Sequence, residues 1–460
     1  MLRLAVSCLV LALTVIVRAQ PRQVSLIVTG GTVVTMDGAR RVLPDGAIAI
    51  EGDSIVAVDT SAAIHARFTA PTTVEASKQV VLPGLVNTHG HAPMVLYRGL
   101  ADDLALMEWL ERYMFPAEAR TVSEEMVRLG TRLAAVEMIQ TGTTTFADMY
   151  YFEDVIADTA SAAGLRGVLG QTVIRFPVAD AKTPAEALAR AERFIQRFKD
   201  DALVTPAVAP HSAYTLDTAT LLASRNLAAR HSVPLLIHLA ETEDEVRILR
   251  EQSGLSPTGY LESIGFFAPR TLAAHGVWVS ADDIAVLKRH GVGVSHNPES
   301  NMKLASGTAP VPQYLAAGVA LGLGTDGAAS NNDLDMFEAM RQAAFLHKLQ
   351  SKDPRAVPAA TALEMATLGG ARALGMADRI GSLEPGKRAD LIVVGMARAR
   401  QTPRYDPISH LVYATRGDDV VTTIVNGRVL MRDRKLLTLD EPAVLRDADA
   451  FAGRVRAAVQ

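Results

Sequence analysis

From residue 83 to about residue 384 the chain alternates short apolar runs with longer stretches in which apolar positions recur at helical spacing. That is the pattern of repeated β-α units on a parallel sheet. Eight strand-like runs stand out, at 84–88, 143–148, 167–173, 203–209, 234–238, 272–275, 292–295 and 319–324, and helical patterns such as 124–140, 184–198, 216–231 and 282–289 fall between them. Eight units predict an α/β fold, a closed (β/α)8 barrel of the TIM type. The competing arrangement, an open doubly wound sheet, calls for a glycine-rich phosphate loop after the first strand, and none follows it.

Both ends of the chain have a different texture. Residues 24–60 carry β-branched runs punctuated by Gly30-Gly31, Asp37-Gly38 and Glu51-Gly52; the same texture returns at 390–395 and 420–431 around the turn Asn426-Gly427. Such turns between β-branched runs are hairpin signals. The two ends are therefore expected to pair into one small β-sandwich, formed by residues 20–82 and 385–460 with a C-terminal helix, around a barrel inserted as residues 83–384.

The first nineteen residues read separately. Arg3 precedes a mostly apolar run, 4–17, and Val17-Arg18-Ala19 offers small residues at the two positions a signal peptidase reads. Residues 1–19 are expected to be a signal peptide. The apolar run is short for a membrane span, so no stable membrane insertion is expected after cleavage, and the product is expected to be exported, periplasmic or secreted. Cys8, the single cysteine, lies in this segment, so disulfides do not enter the mature chain. With 46 basic against 50 acidic residues and no block of like charge, nothing suggests a nucleic-acid partner. The 49% hydrophobic composition is that of an ordinary folded protein. A small-molecule substrate is expected, and self-association stays open.

The chemistry sits at strand ends. His89-Gly90-His91 closes the first run, and a spacing of two puts both imidazoles on one side of an extended backbone. The fifth run ends in His238, the sixth in His275, and the eighth leads into Asp326-Gly327. In a barrel these ends converge on one face. His89, His91, His238 and Asp326 form a nitrogen and oxygen set suited to one divalent ion with a position open for water, zinc first, with iron(II) or manganese(II) as alternatives. Glu241 follows His238 by three residues and is expected to shuttle protons rather than bind the ion, against the alternative of an acid at a helix start. His275 is expected to aim at the ion's water, and His296 to shape the site. His65, His231, His290, His347 and His410 read as surface or satisfied core residues.

These residues stand in stretches that resemble the amidohydrolase superfamily. The stretches are 83–94 around Thr88-His89-Gly90-His91, Ala209-Pro-His-Ser212, Ile237-His-Leu-Ala-Glu241, Ala273-Ala-His275, Val294-Ser-His-Asn-Pro298, 324–332 and 381–391. The branch resembled contains cytosine deaminase, triazine hydrolases and 5'-methylthioadenosine/S-adenosylhomocysteine deaminases. The resemblance implies metal ligation by His89, His91, His238 and Asp326. It also implies a substrate pocket that includes Trp109, Glu118, His211, Glu241 and Ser330. Physically, a carboxylate such as Glu118 accepts two donors from a cis-diol, and an indole packs on a flat group. The alternative has Trp109 in the core and Glu118 in solvent, on an amphipathic helix. The chain departs from the family after the third strand, where Gln171 stands in place of an arginine associated with an amino-acid tail and Arg175 follows four residues on.

The implied activity is that of an aminohydrolase acting on a cyclic amidine. It deaminates an adenine nucleoside such as 5'-methylthioadenosine, S-adenosylhomocysteine or adenosine through water activated by the ion. Catalysis is assigned to Glu241, His275 and Asp326. The alternatives are a deaminase, chlorohydrolase or amidase of another amino-heterocycle (guanine, cytosine or a triazine), an exported amidohydrolase of other substrates, and a non-catalytic barrel that has lost its chemistry.

Overall fold

The computed structural model describes residues 20–267 and 270–459; the expected signal peptide lies outside the described residues. Eight parallel strands close a barrel: β1 (Leu85–Asn87), β2 (Thr143–Tyr150), β3 (Arg166–Val173), β4 (Val204–Pro210), β5 (Leu235–Leu239), β6 (Thr271–His275), β7 (Gly293–His296) and β8 (Leu321–Leu323). Each strand pairs with the next in sequence, and β8 closes on β1 through Leu323 and Asn87. β2 and β3 are buried at every position, because helices cover their outer face and facing strands fill the interior. β8 is shorter than the 319–324 run because the backbone turns at once into the site, with Asp326 at φ +65°.

The helices start where the sequence supplies caps. Ser123 accepts from the Met126 amide ahead of Glu124–Thr141, Thr183 and Asp217 cap Pro184–Phe198 and Thr218–His231, and Ser280 forms a capping box with Asp283 ahead of Ala281–Arg289. Gly142, at φ +87°, ends the first of these helices in the left-handed turn that glycine adopts without strain.

Among the described residues the two ends of the chain meet in one nine-stranded sheet. Val80–Pro83 and Leu391–Val394 pair antiparallel where the amino-terminal and carboxy-terminal strands join. Leu26, Val28, Ile48, Ile50, Leu391 and Ile424 belong to a core of its own. The sheet is fixed to the barrel by a buried ion pair: Arg166 of β3 donates from Nε and Nη2 to Asp390 at 2.8 and 3.2 Å. The last helix, Glu441–Val459, packs on the barrel helix Glu124–Thr141 and on Phe115–Thr121. No helix among the described residues is long and apolar enough to cross a membrane.

Candidate active site

The carboxyl ends of β1, β5 and β6 and the turn after β8 bring His89, His91, His238, His275 and Asp326 together. His89, His91 and Asp326 form one group of converging ligand atoms, and His89, His238 and His275 form another. Asp326 Oδ1 lies 3.3 Å from both His89 Nε2 and His91 Nε2, and His91 Nε2 lies 3.4 Å from His238 Nε2. The ring orientations are set from outside. His91 Nδ1 donates to the Met149 carbonyl at 2.7 Å and His238 Nδ1 to the His211 carbonyl at 2.9 Å. A carbonyl only accepts, so each Nε2 faces the cluster as a ligand atom. Asp326 is oriented in the same way, its Oδ2 accepting from Ser300 at 2.7 Å and Ser330 at 2.9 Å.

The donor set fits a divalent ion. His89 Nε2 is buried with no hydrogen-bond partner, and two inward-facing Nε2 atoms 3.4 Å apart call for a cation between them. Without an ion the Asp326 carboxylate favours positive charge at this point: burial disfavours an imidazolium at His91, yet Asp326 overrides it and carries His91 up to about 9, so a bound cation would take the place of the proton on Nε2. Burial pushes Asp326 up, but the imidazoles of His89 and His91 outweigh this and hold it well below the usual carboxylate range. Burial takes His89 down to about 4 and His211 down to about 3, which keeps both rings neutral.

Backbone strain gathers at this mouth. Ala240, His275 and Asp326 all adopt positive φ, at 49°, 73° and 65°, conformations that cost a non-glycine residue about 1–3 kcal/mol each. Gly324 permits the approach of the turn after β8: a Cβ there would lie 2.5 Å from Asn297 Oδ1 and 2.9 Å from the His89 amide.

Glu241 stands two residues ahead of the helix Glu243–Ser253, whose first-turn acids are Glu243, Asp244 and Glu245, so it is not a helix-start acid. Its Oε2 lies 3.8 Å from His275 Nε2, and burial raises its pKa. His275 Nδ1 is held by Asn301 Oδ1 at 2.9 Å.

A cavity opens on the cluster and is lined by His91, His211, His238, Glu241, His275 and Asp326 together with Trp109, Met114, Phe115 and Glu118. The last four stand on a single helical run, Leu106–Trp109, Leu110–Met114 and Phe115–Thr121, in which the middle piece is a π-helix: the Phe115 amide bonds the Leu110 carbonyl five residues back. The wider turn keeps Trp109, Leu110, Met114, Phe115 and Glu118 on one face. Of the amphipathic-helix alternative, Glu118 departs, being buried and not in solvent, whereas Trp109 does belong to the buried core and also lines the cavity. Burial carries the Glu118 carboxyl up to about 7, against the hydrogen bond it accepts from Tyr150 at 2.5 Å. The Trp109 indole N–H is buried without a partner.

Other residues fall elsewhere. Ser330 touches the cavity, but its hydroxyl serves Asp326. His296 is off the cavity lining, its Nε2 3.0 Å from His347 Nε2 in the core. Gln171 is buried and donates to Asp180 at 2.8 Å, while its neighbour Thr172 reaches the cavity. Residue 171 therefore does not report on the pocket, because adjacent strand residues face opposite ways. Tyr150, Asn301 and Ser300 escape sequence reasoning, since each meets its partner across 26 to 32 residues of chain.

Such a cluster, at the strand ends of a barrel and open to a cavity with a buried acid in its wall, is the arrangement of the metal-dependent barrel hydrolases. The chain belongs to the amidohydrolase family, whose model matches residues 80–430. It is 49% identical over 420 residues to a 5-methylthioadenosine/S-adenosylhomocysteine deaminase of Syntrophobacter fumaroxidans, covering 91% of this chain and 96% of that protein. It is 44% identical over 436 residues to a 5'-deoxyadenosine deaminase of Methanosarcina mazei, covering 94% and 99%. Among solved structures, an adenosine deaminase from Xanthomonas campestris with bound zinc superposes with a TM-score of 0.94 at 40% identity, covering 95% of this chain and 100% of that one.

Proposed function

We propose that this protein hydrolyses the exocyclic C–N bond of an adenine nucleoside: one water is consumed, the amino group leaves as ammonia and an oxo group replaces it. The observation that carries the reading is one cavity lined both by the His and Asp cluster and by Glu118 and Trp109. The names of its relatives support the same chemistry. His89, His91, His238 and Asp326 would hold one divalent ion, zinc by analogy with the Xanthomonas protein. When bound, such an ion supplies a Lewis acid that makes water nucleophilic near neutral pH.

The chain's own residues supply the rest. Asp326 Oδ1, beside His89 and His91, receives a proton from the attacking water. Glu241, whose pKa burial raises, carries one proton of the water to the ring nitrogen, where it stays, and the proton received by Asp326 goes to the departing amine, which leaves as ammonia. His275, held by Asn301, hydrogen-bonds the nucleophile from the side of Glu241. Glu118 accepts the ribose hydroxyls on the oxygen that Tyr150 leaves free.

The test is ammonia release by purified protein from adenosine, 5'-methylthioadenosine, guanine, cytosine and a triazine, before and after chelation. Turnover of the nucleosides that chelation abolishes and zinc restores supports the reading; turnover of free bases alone, or indifference to chelation, refutes it. We also propose export, resting on the leader-like residues 1–19; a mature protein whose amino terminus is still Met1 would overturn that.

A further inference from the structure

Thr242 caps the helix Glu243–Ser253, its hydroxyl accepting from the Glu245 amide at 3.3 Å. In the capping box at Ser280, the acid three residues on returns to the amide of the cap itself, Asp283 Oδ2 accepting from Ser280 N at 2.9 Å. Glu245 holds the same position after Thr242 but passes it by: its Oε2 accepts from the amide of Glu241 at 3.0 Å. Glu186 makes the equivalent bond to the Lys182 amide at 2.7 Å, and there the carboxylate is exposed to water. Glu245 is only 2% exposed and its Oε1 has no hydrogen-bond partner. Burial carries this carboxyl up to about 7, against the bonds it accepts from the Ala240 and Glu241 amides. Capping a helix does not call for that desolvation, as Glu186 shows, so the burial of Glu245 needs another reason.

The bond falls where backbone position matters. Ala240, in the left-handed region at φ +49°, turns the chain out of β5, and its carbonyl accepts from the Val277 and Trp278 amides at 3.0 and 2.9 Å. Glu241 is pinned on one side through Ala240 and on the other through the cap at Thr242, and Glu245 holds the amide between them. We propose that Glu245 is a positioning residue: by holding the Glu241 amide it aims the Glu241 carboxyl toward His275, 3.8 Å away, and the reacting atoms. The inference rests on the reading of Glu241 as proton carrier and adds the group that fixes it. Glu245 itself is off the cavity lining, so it acts through Glu241 and not on substrate.

The experiment compares Glu245→Met, which fills similar space without an acceptor, with Glu245→Gln, which keeps one, in the full-length, zinc-loaded protein. The readouts are kcat and KM for adenosine, zinc per chain, and hydrogen exchange of the peptide that contains the Glu241 amide. Glu245→Met is expected to lower kcat by ~10–100-fold, the cost of a reacting group held off its geometry, with KM within about twofold, zinc unchanged and faster exchange. Glu245→Gln is expected to stay within about threefold of wild-type kcat and to keep the slow exchange, because an amide oxygen still accepts from the backbone. Glu245→Asp, whose shorter side chain withdraws the acceptor, is a second probe with the expectation of the Met variant. A Met variant with wild-type kcat, a loss that only tracks lost zinc or lost folded protein, or a Gln variant as slow as the Met variant would each overturn the proposal. Wild-type turnover of adenosine with kcat and exchange unmoved by Glu245→Met sinks this inference alone. A wild type silent on adenosine removes the adenine-nucleoside reading, while accelerated exchange in the Met variant, restored in the Gln variant, still upholds Glu245 as the group that holds Glu241.

Discussion

Glu241 and Glu118 are both buried carboxyls with raised pKa values, yet their surroundings suit them to opposite tasks. Glu241 faces His275 at the cluster, where a retained proton is useful. Glu241→Gln should therefore keep the metal content, measured on the purified protein, while kcat falls by roughly 10²–10⁴-fold. Glu118 is useful only when ionised, because a neutral carboxyl loses acceptor capacity toward a diol. Its pKa near 7 means that the ionised form is present above that value and lost as pH falls through it. The KM for adenosine is expected to rise as pH drops from 8 to 6, and Glu118→Gln should raise KM about 10-fold and flatten that dependence. The cluster ligands were legible in the sequence because each ends an apolar run. The groups that orient them were not, because Ser300 and Asn301 reach Asp326 and His275 only through the fold.

At the scale of elements, helix Glu124–Thr141 presses against the segment that follows His91. A Cβ at Gly130 would lie 2.4 Å from the Pro93 carbonyl oxygen and 2.7 Å from its Cα, both backbone atoms. Gly130→Ala is expected to destabilise the fold by about 1–3 kcal/mol, the usual penalty of overpacking, and to weaken metal binding by displacing His91. Denaturant unfolding and metal titration of the same variant check the two effects. Sequence periodicity located all eight barrel strands because buried parallel strands are continuous apolar runs. It did not reveal the π-helix at Leu110–Met114, whose wider turn depends on what the helix packs against rather than on its composition.

Across the whole molecule, the barrel and the terminal sheet are coupled through Arg166 and Asp390, which also receives the Asn426 amide at 2.6 Å. Asp390→Ala strands a guanidinium that is 1% exposed, and a loss of about 3–5 kcal/mol in unfolding free energy is expected, with little change in KM because the pair lies away from the cavity. The sequence by itself determined the class of fold, the pairing of the two ends and the set of ligand-type residues, since apolar periodicity, turn residues and strand-end polarity are local properties of the chain. Tertiary structure decided which of those residues share a cavity, how each ring is turned, and why Gln171 faces Asp180 instead of the pocket. These depend on contacts between residues tens to hundreds of positions apart, and the spacing of residues along the chain carries no measure of such distances.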